Sequence, residues 1–181
     1  FTKNQIAAGE VVERPLSVVK ELTENSLDAG ARRITVELVE GGLSSISVTD
    51  DGCGMGEEDL VLAFERHATS KIKCASDLSR ILTLGFRGEA IPSIAAVSRM
   101  DFTSRTADGL NGTMVKAVEG AIVSMSSAGC PPGSTVVVRD LFFNTPVRRK
   151  SMKSPSIEGS LCGEVISHMA LARPDVSFEL R

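Results

Sequence analysis

The sequence predicts an α+β fold, a two-layer sandwich in which helices cover one face of a mixed, largely antiparallel sheet. Helical patterns dominate the first half of the 181 residues, whereas a run of short alternating strands fills residues 100–141. Helices that come early, followed by consecutive strands, are typical of this class. The length suits one domain of ordinary size. No internal repeat or low-complexity linker divides the chain, so we predict a single domain over residues 1–181.

The first predicted elements are a helix, a hairpin and a short helix. Pro15 suits the first helical position and Gly30 suits the end of a helix of about four turns. Apolar alternation on both sides of a glycine pair, over residues 33–50, predicts a β-hairpin. The acidic sequence GEEDL predicts a short helix through Phe64, because carboxylates stabilise a helix N-terminus.

Helices, strands and a closing helix are predicted for the rest of the chain. Two short helices are expected near residues 78–82 and 91–97, on either side of the loop TLGFRGEA. A last helix is expected from Glu158 to Pro174, where proline ends it. The alternation of apolar residues predicts strands over residues 100–106, 113–118, 121–127, 134–141 and 176–181.

Composition narrows the class of protein. Apolar residues make up 42% of the chain and charged residues 24%, as in soluble globular proteins. No apolar run approaches the roughly 20 residues of a membrane span, and no signal peptide is evident, so we expect a cytoplasmic protein. The net charge of -3 argues against a strong nucleic-acid binder.

Basic residues and cysteines offer weaker signals. The run RRKSMK, residues 148–153, could meet a phosphate backbone, although such runs are more often solvated faces. The four cysteines are widely spaced and include no C-x-x-C pair. This spacing favours reduced thiols over a zinc site or a disulfide framework.

A narrow polar stripe lies beside the apolar arc of the first helix. At about 100° per residue, Glu21, Asn25 and Asp28 fall next to Val18 and Leu22, so the stripe is expected to be half-buried. Two interpretations stay open. The side chains could pair with a surface lysine or with backbone near the helix end. Alternatively, Glu21 is a general base and Asn25 is a ligand for hydrated magnesium.

Two glycine-rich segments could meet a ligand. TDDGCGMG, residues 49–56, combines two carboxylates with three glycines directly after a predicted strand. It fits a tight turn, a carboxylate-rich cation loop or a slot for a flat ligand. LGFRGEAIPS places two glycines before a helix, where amides can face an anion. It does not match the P-loop pattern.

Six motifs follow one another along the chain: IAAGEVVERP, ELTENSLDAGA, DDGCGM, HATSKI, GFRGEA and GSTVVVRDLFFNTPVRRK. Taken in this order, they resemble the ATPase domain of the MutL family of DNA mismatch-repair proteins, bacterial members above all. The resemblance runs from about Gln5 into the last helix. Several ordered motifs at compatible spacings are specific where a single one is not. The resemblance implies the Bergerat-type ATP-binding fold that DNA gyrase, histidine kinases and a heat-shock chaperone share.

The resemblance also implies roles for individual residues. Asp50 would accept a hydrogen bond from the adenine amino group, which selects adenine over guanine. Gly52 and Gly54 would let backbone approach the base and the ribose. Glu21 would polarise the attacking water. Asn25 would hold Mg²⁺ against the phosphates.

The remaining implied binding residues lie in the glycine-rich segment LGFRGEAIPS, in the segment around Lys71 and in one predicted strand. Lys71 falls in a segment expected to fold over the nucleotide as a lid, in which His67 is a structural residue. Ser134 stands where the family uses a threonine hydroxyl to bind adenine. The phosphates would be held by Gly85, Phe86, Arg87, Gly88, Glu89, Ala90 and Ile91.

Besides Ser134, other positions depart from the usual motifs. Thr23 stands where an aliphatic residue is common, and Asp51 stands where asparagine is common. Neither position is assigned to the chemistry. Ile91-Pro92 stands where Leu-Ala is more usual after GEA, and Pro92 is tolerable only in the first turn of a helix.

The expected function is magnesium-dependent binding and slow hydrolysis of ATP. ATP would order the lid and favour self-association of N-terminal domains, as a switch that engages a mismatch-recognition protein and other repair factors. The chain is expected to be a fragment without the extreme N-terminus, the second transducer domain and the C-terminal dimerisation domain, and to meet DNA mostly through regions outside it. No membrane partner is expected. A non-catalytic nucleotide-binding scaffold is the alternative, and a phosphotransfer kinase would need an upstream histidine domain.

Overall fold

A computed structural model describes residues 12–65 and 89–181 of the chain. The helices are α1 (Pro15–Asp28), α2 (Glu57–Leu62), α3 (Ala90–Ala96), α4 (Pro146–Lys150) and α5 (Pro155–Ala172). The strands are β1 (Arg33–Val39), β2 (Ser45–Asp50), β3 (Arg99–Arg105), β4 (Gly112–Val118), β5 (Ala121–Ala128), β6 (Gly133–Arg139) and β7 (Ser177–Leu180).

The strands form one seven-stranded sheet in the order β5-β4-β3-β6-β2-β1-β7. All neighbouring strands are antiparallel except β1 and β7, which are parallel. The predicted mixed, largely antiparallel sheet is therefore confirmed. The long central strands pair in register, so that Asp50 lies opposite Ser134 and Ser134 lies opposite Ser104.

Helices cover one face of the sheet, as predicted for an α+β sandwich. α1 packs on β2 and also contacts α3 and α5, while α2 and α3 pack on β4. Alternate strand residues point into this layer and are buried, which follows from the two-residue period of a strand. They include Ile34, Val36, Ile46, Val48, Met100, Phe102, Val115, Ala117, Val136 and Val138.

The structure corrects one predicted boundary and adds one helix. The last helix begins at Pro155, about one turn before the predicted Glu158, because Ser154-Pro155 provides a favourable start. Glu158 is buried inside the first turns and accepts a hydrogen bond from the amide of Lys153 at 2.9 Å. The short helix α4 was not predicted; Pro146 at its start is the signal that announces it. The helix predicted near residues 78–82 lies outside the described residues.

The observed start of α3 agrees with the sequence. The helix begins at Ala90, so Pro92 falls in its first turn, where a missing backbone N–H costs least. Within residues 12–65 and 89–181, the helices are too short or too polar to cross a membrane.

Candidate functional site

The last turn of α1 meets the end of β2 through one hydrogen bond. The Ser26 hydroxyl donates to Asp50 Oδ2 at 2.8 Å and lies 3.2 Å from the carbonyl oxygen of Leu22. Only 3% of Ser26 is exposed. A charge-assisted bond of this kind is stronger than a neutral one, so Ser26 fixes the orientation of the carboxylate.

The Asp50 carboxylate is held on both of its oxygens. Its other oxygen, Oδ1, accepts the amide N–H of Gly52 at 2.9 Å. Burial disfavours the charged form and raises the pKa of Asp50 above its ordinary value, against the opposing hydrogen bonds from Gly52, Ser26 and Ser134. Asp50 is thus a partly buried, oriented acceptor at the end of a strand.

Its neighbour Asp51 is exposed and serves the backbone. Asp51 Oδ1 accepts the amides of Arg32 and Arg33, both at 2.8 Å, which ties the loop after β2 to the start of β1. The small desolvation of Asp51 is outweighed by these amides, which lower the pKa of its carboxyl below its ordinary value. This structural role agrees with the sequence analysis, which gave Asp51 no part in the chemistry.

The two glycines after Asp50 are required by the protein's own packing. A Cβ on Gly52 would lie 2.8 Å from the Cβ of Ala29 and 2.9 Å from its carbonyl oxygen. Gly54 has a φ of +66°, and a Cβ there would collide with the carbonyl of Arg105. Both glycines therefore let the loop lie flat against α1 and β3, whether or not a ligand is bound.

A second serine network lies beside Asp50. Ser134 is opposite Asp50 on the helix-covered side of the sheet, and its hydroxyl is 2.9 Å from that of Ser104. Ser104 Oγ accepts the amide N–H of Met55 at 2.8 Å, and the Ser104 hydroxyl donates to the carbonyl oxygen of Gly133 at 3.1 Å. This network joins the loop after β2 to the start of β6 and the end of β3.

The polar stripe of α1 is half-buried, as predicted. Glu21, Asn25 and Asp28 all have intermediate exposure. Glu24 lies on the same helix, 3.8 Å from Lys20. Partial burial raises the pKa of Glu24; Lys20 opposes this shift, and the negative charges of Glu21 and Asp28 add to it. This side of the helix carries an excess of negative charge that attracts a cation.

This stripe suits a hydrated magnesium ion that takes only one or two ligands from the protein. Among the described residues there is no cluster of three or more His, Cys, Asp or Glu side chains that could cage a metal. Mg²⁺ usually keeps several waters and uses one or two protein oxygens together with substrate phosphates. The amide oxygen of Asn25, on a negatively charged helix face, suits that kind of binding.

Of the predicted phosphate loop, the structure describes only the last part. Glu89 precedes α3, and Ala90 and Ile91 open it, all three half-buried. α3 packs against α1, so this helix start lies on the same side of the sheet as the polar stripe. The predicted residues Lys71, Gly85, Phe86, Arg87 and Gly88 lie outside the described residues, as does His67.

Two residues of the site were missed by the sequence analysis. Ser26 was not considered with the polar stripe, because the helix period places it on the apolar side of α1. Ser104 could have been found: it follows Met100 and Phe102 at the two-residue spacing of a strand, which places a polar side chain at a buried position. A polar group in such a position needs a partner.

The other candidate features have structural explanations. The Arg148 guanidinium donates to the carbonyl of Val12 at 2.8 Å, and Arg149 donates to that of Leu141 at 3.1 Å, which holds RRKSMK against the fold. Cys53, Cys130 and Cys162 are free thiols. Cys74 lies outside the described residues.

An open groove of about 340 Å³ lies along α2. Three carboxylates are among its lining residues Glu57, Glu58, Val61, Leu62 and Glu65. Their charge would repel the phosphates of a nucleotide, so this groove is not the candidate site.

Comparison with known sequences identifies relatives of the chain. Residues 13–118 match the family described as histidine kinase-, DNA gyrase B- and HSP90-like ATPase. Over 180 residues, 99% of the chain, the sequence is 67% identical to the DNA mismatch repair protein MutL of Pelotomaculum thermopropionicum, of which it covers 30%. It is 59% identical over 180 residues to MutL of Desulforamulus reducens, of which it covers 28%. The chain thus spans less than a third of these curated relatives.

Solved structures give the same answer for the fold. The Aquifex aeolicus MutL ATPase domain complexed with ADP is 36% identical with a TM-score of 0.76, over 94% of this chain and 60% of that chain. The N-terminal domain of a DNA repair protein is 29% identical with a TM-score of 0.84, over 99% of this chain and 51% of that chain.

Proposed function

Because the chain belongs to the histidine kinase-, DNA gyrase B- and HSP90-like ATPase family and is homologous to MutL proteins over its whole length, we propose that it binds ATP where α1 meets the ends of β2 and β6, and that it hydrolyses ATP slowly with Mg²⁺. The observation that carries this proposal is the Asp50 carboxylate, partly buried and oriented by Ser26 and Gly52.

The adenine end of the site is assigned to Asp50 and Ser134. The ionised carboxylate only accepts hydrogen bonds, which suits the amino group of adenine and not the carbonyl of guanine. Ser134 lies directly opposite Asp50 on the neighbouring strand, close enough for both to meet one edge of the base. Gly52 and Gly54 keep the loop beside them free of side chains.

The phosphate end is assigned to the stripe on α1 and the loop before α3. Asn25 would bind Mg²⁺, whose charge offsets that of the phosphates. Glu21, one helical turn before Asn25, would accept a proton from the attacking water. Lys71 and the residues from Gly85 to Ile91 would contact the phosphates.

The proposed role is a switch in DNA mismatch repair. ATP would order the lid around Lys71, the ordered lid would favour self-association of two such domains, and the closed state would engage a mismatch-recognition protein and other repair factors in the cytoplasm. We propose that residues 1–181 form the ATP-binding domain of a longer protein whose DNA contacts lie mostly elsewhere. A scaffold that binds ATP without hydrolysis is the second candidate.

Steady-state ATP hydrolysis by Glu21→Gln separates these two candidates. Loss of a general base costs about 10²- to 10⁴-fold in rate, so we expect turnover to fall by at least about 100-fold while ATP binding is kept. Glu24→Gln is the matched control, because it removes a half-buried carboxylate from the same helix and should keep most of the activity. Unchanged turnover in Glu21→Gln would remove the catalytic role of Glu21, and absence of turnover in the wild type would favour the scaffold.

A further inference from the structure

We propose that Asn144 is a positioning residue: its side chain holds the C-terminal end of α3 and thereby keeps the start of that helix in place for the phosphates of the nucleotide. The inference rests on the proposed assignment of the phosphate end to the loop before α3. It gives a role to the sequence FFNTP, residues 142–146, which the proposed function leaves without one.

α3 is a short helix whose last carbonyl groups need partners from outside it. It has seven residues, and the last four carbonyl groups of an α-helix lack partners within the helix. The chain directly after α3 serves two of them. The amide of Val97 donates to the carbonyl of Ile94 at 3.2 Å. The amide of Ser98 donates to that of Ala95 at 3.4 Å. The carbonyl group of Ala96, the last residue of the helix, is left for another part of the chain.

The partner of Ala96 comes from the segment after β6. Asn144 Nδ2 donates to the carbonyl of Ala96 at 2.9 Å. Directly beside it, the backbone amide of Phe142 donates to the carbonyl of Val97 at 2.8 Å. Only the nitrogen of the Asn144 side chain can face a carbonyl oxygen, which fixes its orientation. The C-terminal end of α3 is therefore held by a side chain 48 positions further along the chain.

The backbone around Asn144 adopts an unusual conformation. Phe142 has a φ of +64° and Asp140 has a φ of +52°, values that are uncommon for residues other than glycine and rarest for bulky ones. Phe142 is also fully buried. Strain of this kind persists only where the surrounding structure over-determines it. It accompanies the turn that brings the Phe142 amide and the Asn144 side chain to the end of α3.

The donor is the feature of Asn144 that matters to α3. Asn144 Oδ1 is buried and has no hydrogen-bond partner among residues 12–65 and 89–181, and an unsatisfied buried oxygen destabilises a fold. An apolar side chain of similar size would avoid that cost but could not donate to Ala96. Stability alone is thus a poor reason for asparagine at this position, whereas the placement of α3 requires it.

A displacement at the C-terminal end of α3 reaches its start. A helix rises about 1.5 Å per residue, so Ala96 lies about 9 Å from Ala90. Ile94 and Ala95 are fully buried, and α3 packs against α1 and β4. Because packed interiors transmit strain, so short a helix moves as a unit. Loss of the Asn144 bond should therefore shift the start of α3 relative to α1, where Mg²⁺ is proposed to bind.

The test compares Asn144→Ala with the wild type for two ligands: a non-hydrolysable ATP analogue with Mg²⁺, and adenosine, which has no phosphates. Calorimetry of the full-length protein measures the affinity for the analogue, and competition against the analogue measures that for adenosine. In Asn144→Ala the preference for the analogue should fall by about 10-fold, the value of one hydrogen bond, while the affinity for adenosine should change by less than about 3-fold.

Asn144→Asp is the second variant. It keeps the size and shape of the side chain, but an ionised carboxylate only accepts hydrogen bonds and cannot donate to the carbonyl of Ala96. The preference for the analogue should fall in this variant as well. Its result decides the test if Asn144→Ala does not fold.

Thr145→Val is the matched control. Thr145 is the next residue along the chain and is buried, and its hydroxyl donates to the carbonyl of Phe142 at 3.5 Å instead of to α3. The substitution keeps the shape of the side chain and removes a buried hydroxyl from the same segment. It should keep the full preference of the wild type for the analogue over adenosine.

The possible outcomes are distinct. If a folded Asn144 variant keeps the full preference, the inference is overturned and the ATP site stands. An equal loss of affinity for the two ligands would show a purely structural role for Asn144, and it would also overturn the inference alone. If the folded wild type binds no ATP analogue, the proposed function fails and the inference falls with it.

Discussion

Asp50 and Asp51 are adjacent carboxylates that the fold treats in opposite ways. Asp50 is partly buried against α1, and burial raises its pKa. Asp51 is exposed, and the amides of Arg33 and Arg32 prevail over its slight desolvation and lower its pKa. The folded state therefore disfavours the charge of Asp50 and favours that of Asp51.

The two residues should affect stability with opposite signs. The stabilising contribution of Asp50 is complete below its ordinary pKa of 3.8 and is lost as the pH rises through its raised pKa. That of Asp51 is present above 3.8 and is lost as the pH falls through its lowered pKa. At pH 7 without nucleotide, we expect Asp50→Asn to raise the midpoint temperature of unfolding and Asp51→Asn to lower it.

Thermal unfolding followed by circular dichroism, at pH values between about 4 and 7.5, would measure the midpoint temperature of each variant and of the wild type. The difference between Asp50→Asn and the wild type should shrink towards acidic pH, because the raised pKa of Asp50 lies above 3.8. The difference between Asp51→Asn and the wild type should stay nearly constant over this range, because the pKa of Asp51 lies below 3.8. A lower midpoint for Asp50→Asn at pH 7 would show that burial of its charge is not a cost to the fold.

Thr23 gives a second prediction at this scale. It is 0% exposed, and its hydroxyl finds no hydrogen-bond partner among residues 12–65 and 89–181. An unsatisfied buried hydroxyl costs about 1–3 kcal/mol, so Thr23→Val, which keeps the shape, should increase the free energy of unfolding by about 1 kcal/mol.

Urea unfolding would measure this gain, with Thr135→Val as the control. The Thr135 hydroxyl is hydrogen-bonded to that of Thr49 at 3.2 Å, so its removal should bring no gain. Equal stability of Thr23→Val and the wild type would mean that the Thr23 hydroxyl is satisfied in solution.

Individual residues differ in how far the sequence reveals them. The half-buried stripe of Glu21 and Asn25 follows from the helix period, and Asp50 follows from its place at a strand end before glycines. The bond from Ser26 to Asp50 joins residues 24 positions apart, and no local pattern encodes it. Ser104 was visible as a polar residue at a buried position, but its partners were not.

At the scale of elements, the β1–β2 hairpin and α5 are packed backbone to backbone. The turn between the strands is a short 3₁₀ segment, Glu40–Gly42, in which Gly41 has a φ of +64°. A Cβ on Gly41 would overlap the carbonyl of Pro155 and lie 3.0 Å from the amide nitrogen of Gly159. The start of α5 therefore rests directly on this turn.

Gly41→Ala should separate α5 from the hairpin. Two costs add: a left-handed backbone costs about 1–2 kcal/mol for alanine, and the overlap forces the helix to shift. Gly30→Ala is the matched control, because Gly30 has a φ of +75° and open space where its Cβ would lie. Urea unfolding should show a loss for Gly41→Ala at least about 2 kcal/mol greater than for Gly30→Ala. Equal losses would contradict this close packing.

Element boundaries depended on signals of unequal strength. Pro15 and Gly30 marked α1 well, since proline and glycine act through the local backbone alone. The start of α5 was placed too late because the local signal of Ser154-Pro155 was not used. The contacts that hold this first turn, from the Lys153 amide to Glu158 and from Gly41 to the helix backbone, form only on folding. α4 is a helix of five residues, too short for its periodicity to be read.

At the scale of the whole molecule, the candidate site is formed by three separate parts of the chain that meet at one end of the sheet. α1 brings Ser26, β2 brings Asp50, and β6 brings Ser134, with β3 behind them. The order of helices before strands was enough to predict the sandwich. The strand order, in which β6 inserts between β2 and β3, could not be read from the sequence, and it is this insertion that places Ser134 beside Asp50.

Calorimetric titration with a non-hydrolysable ATP analogue and Mg²⁺ tests the central claim most directly. We predict saturable binding by the wild type, weaker binding of the GTP analogue, and a loss of about 10- to 100-fold in Asp50→Asn, the value of a hydrogen bond to a charged group. Asp51→Asn, the same substitution one residue away, should bind within about 3-fold of the wild type. Equal affinity of folded wild type and Asp50→Asn, or equal affinity for the two nucleotides, would contradict the placement of adenine at Asp50.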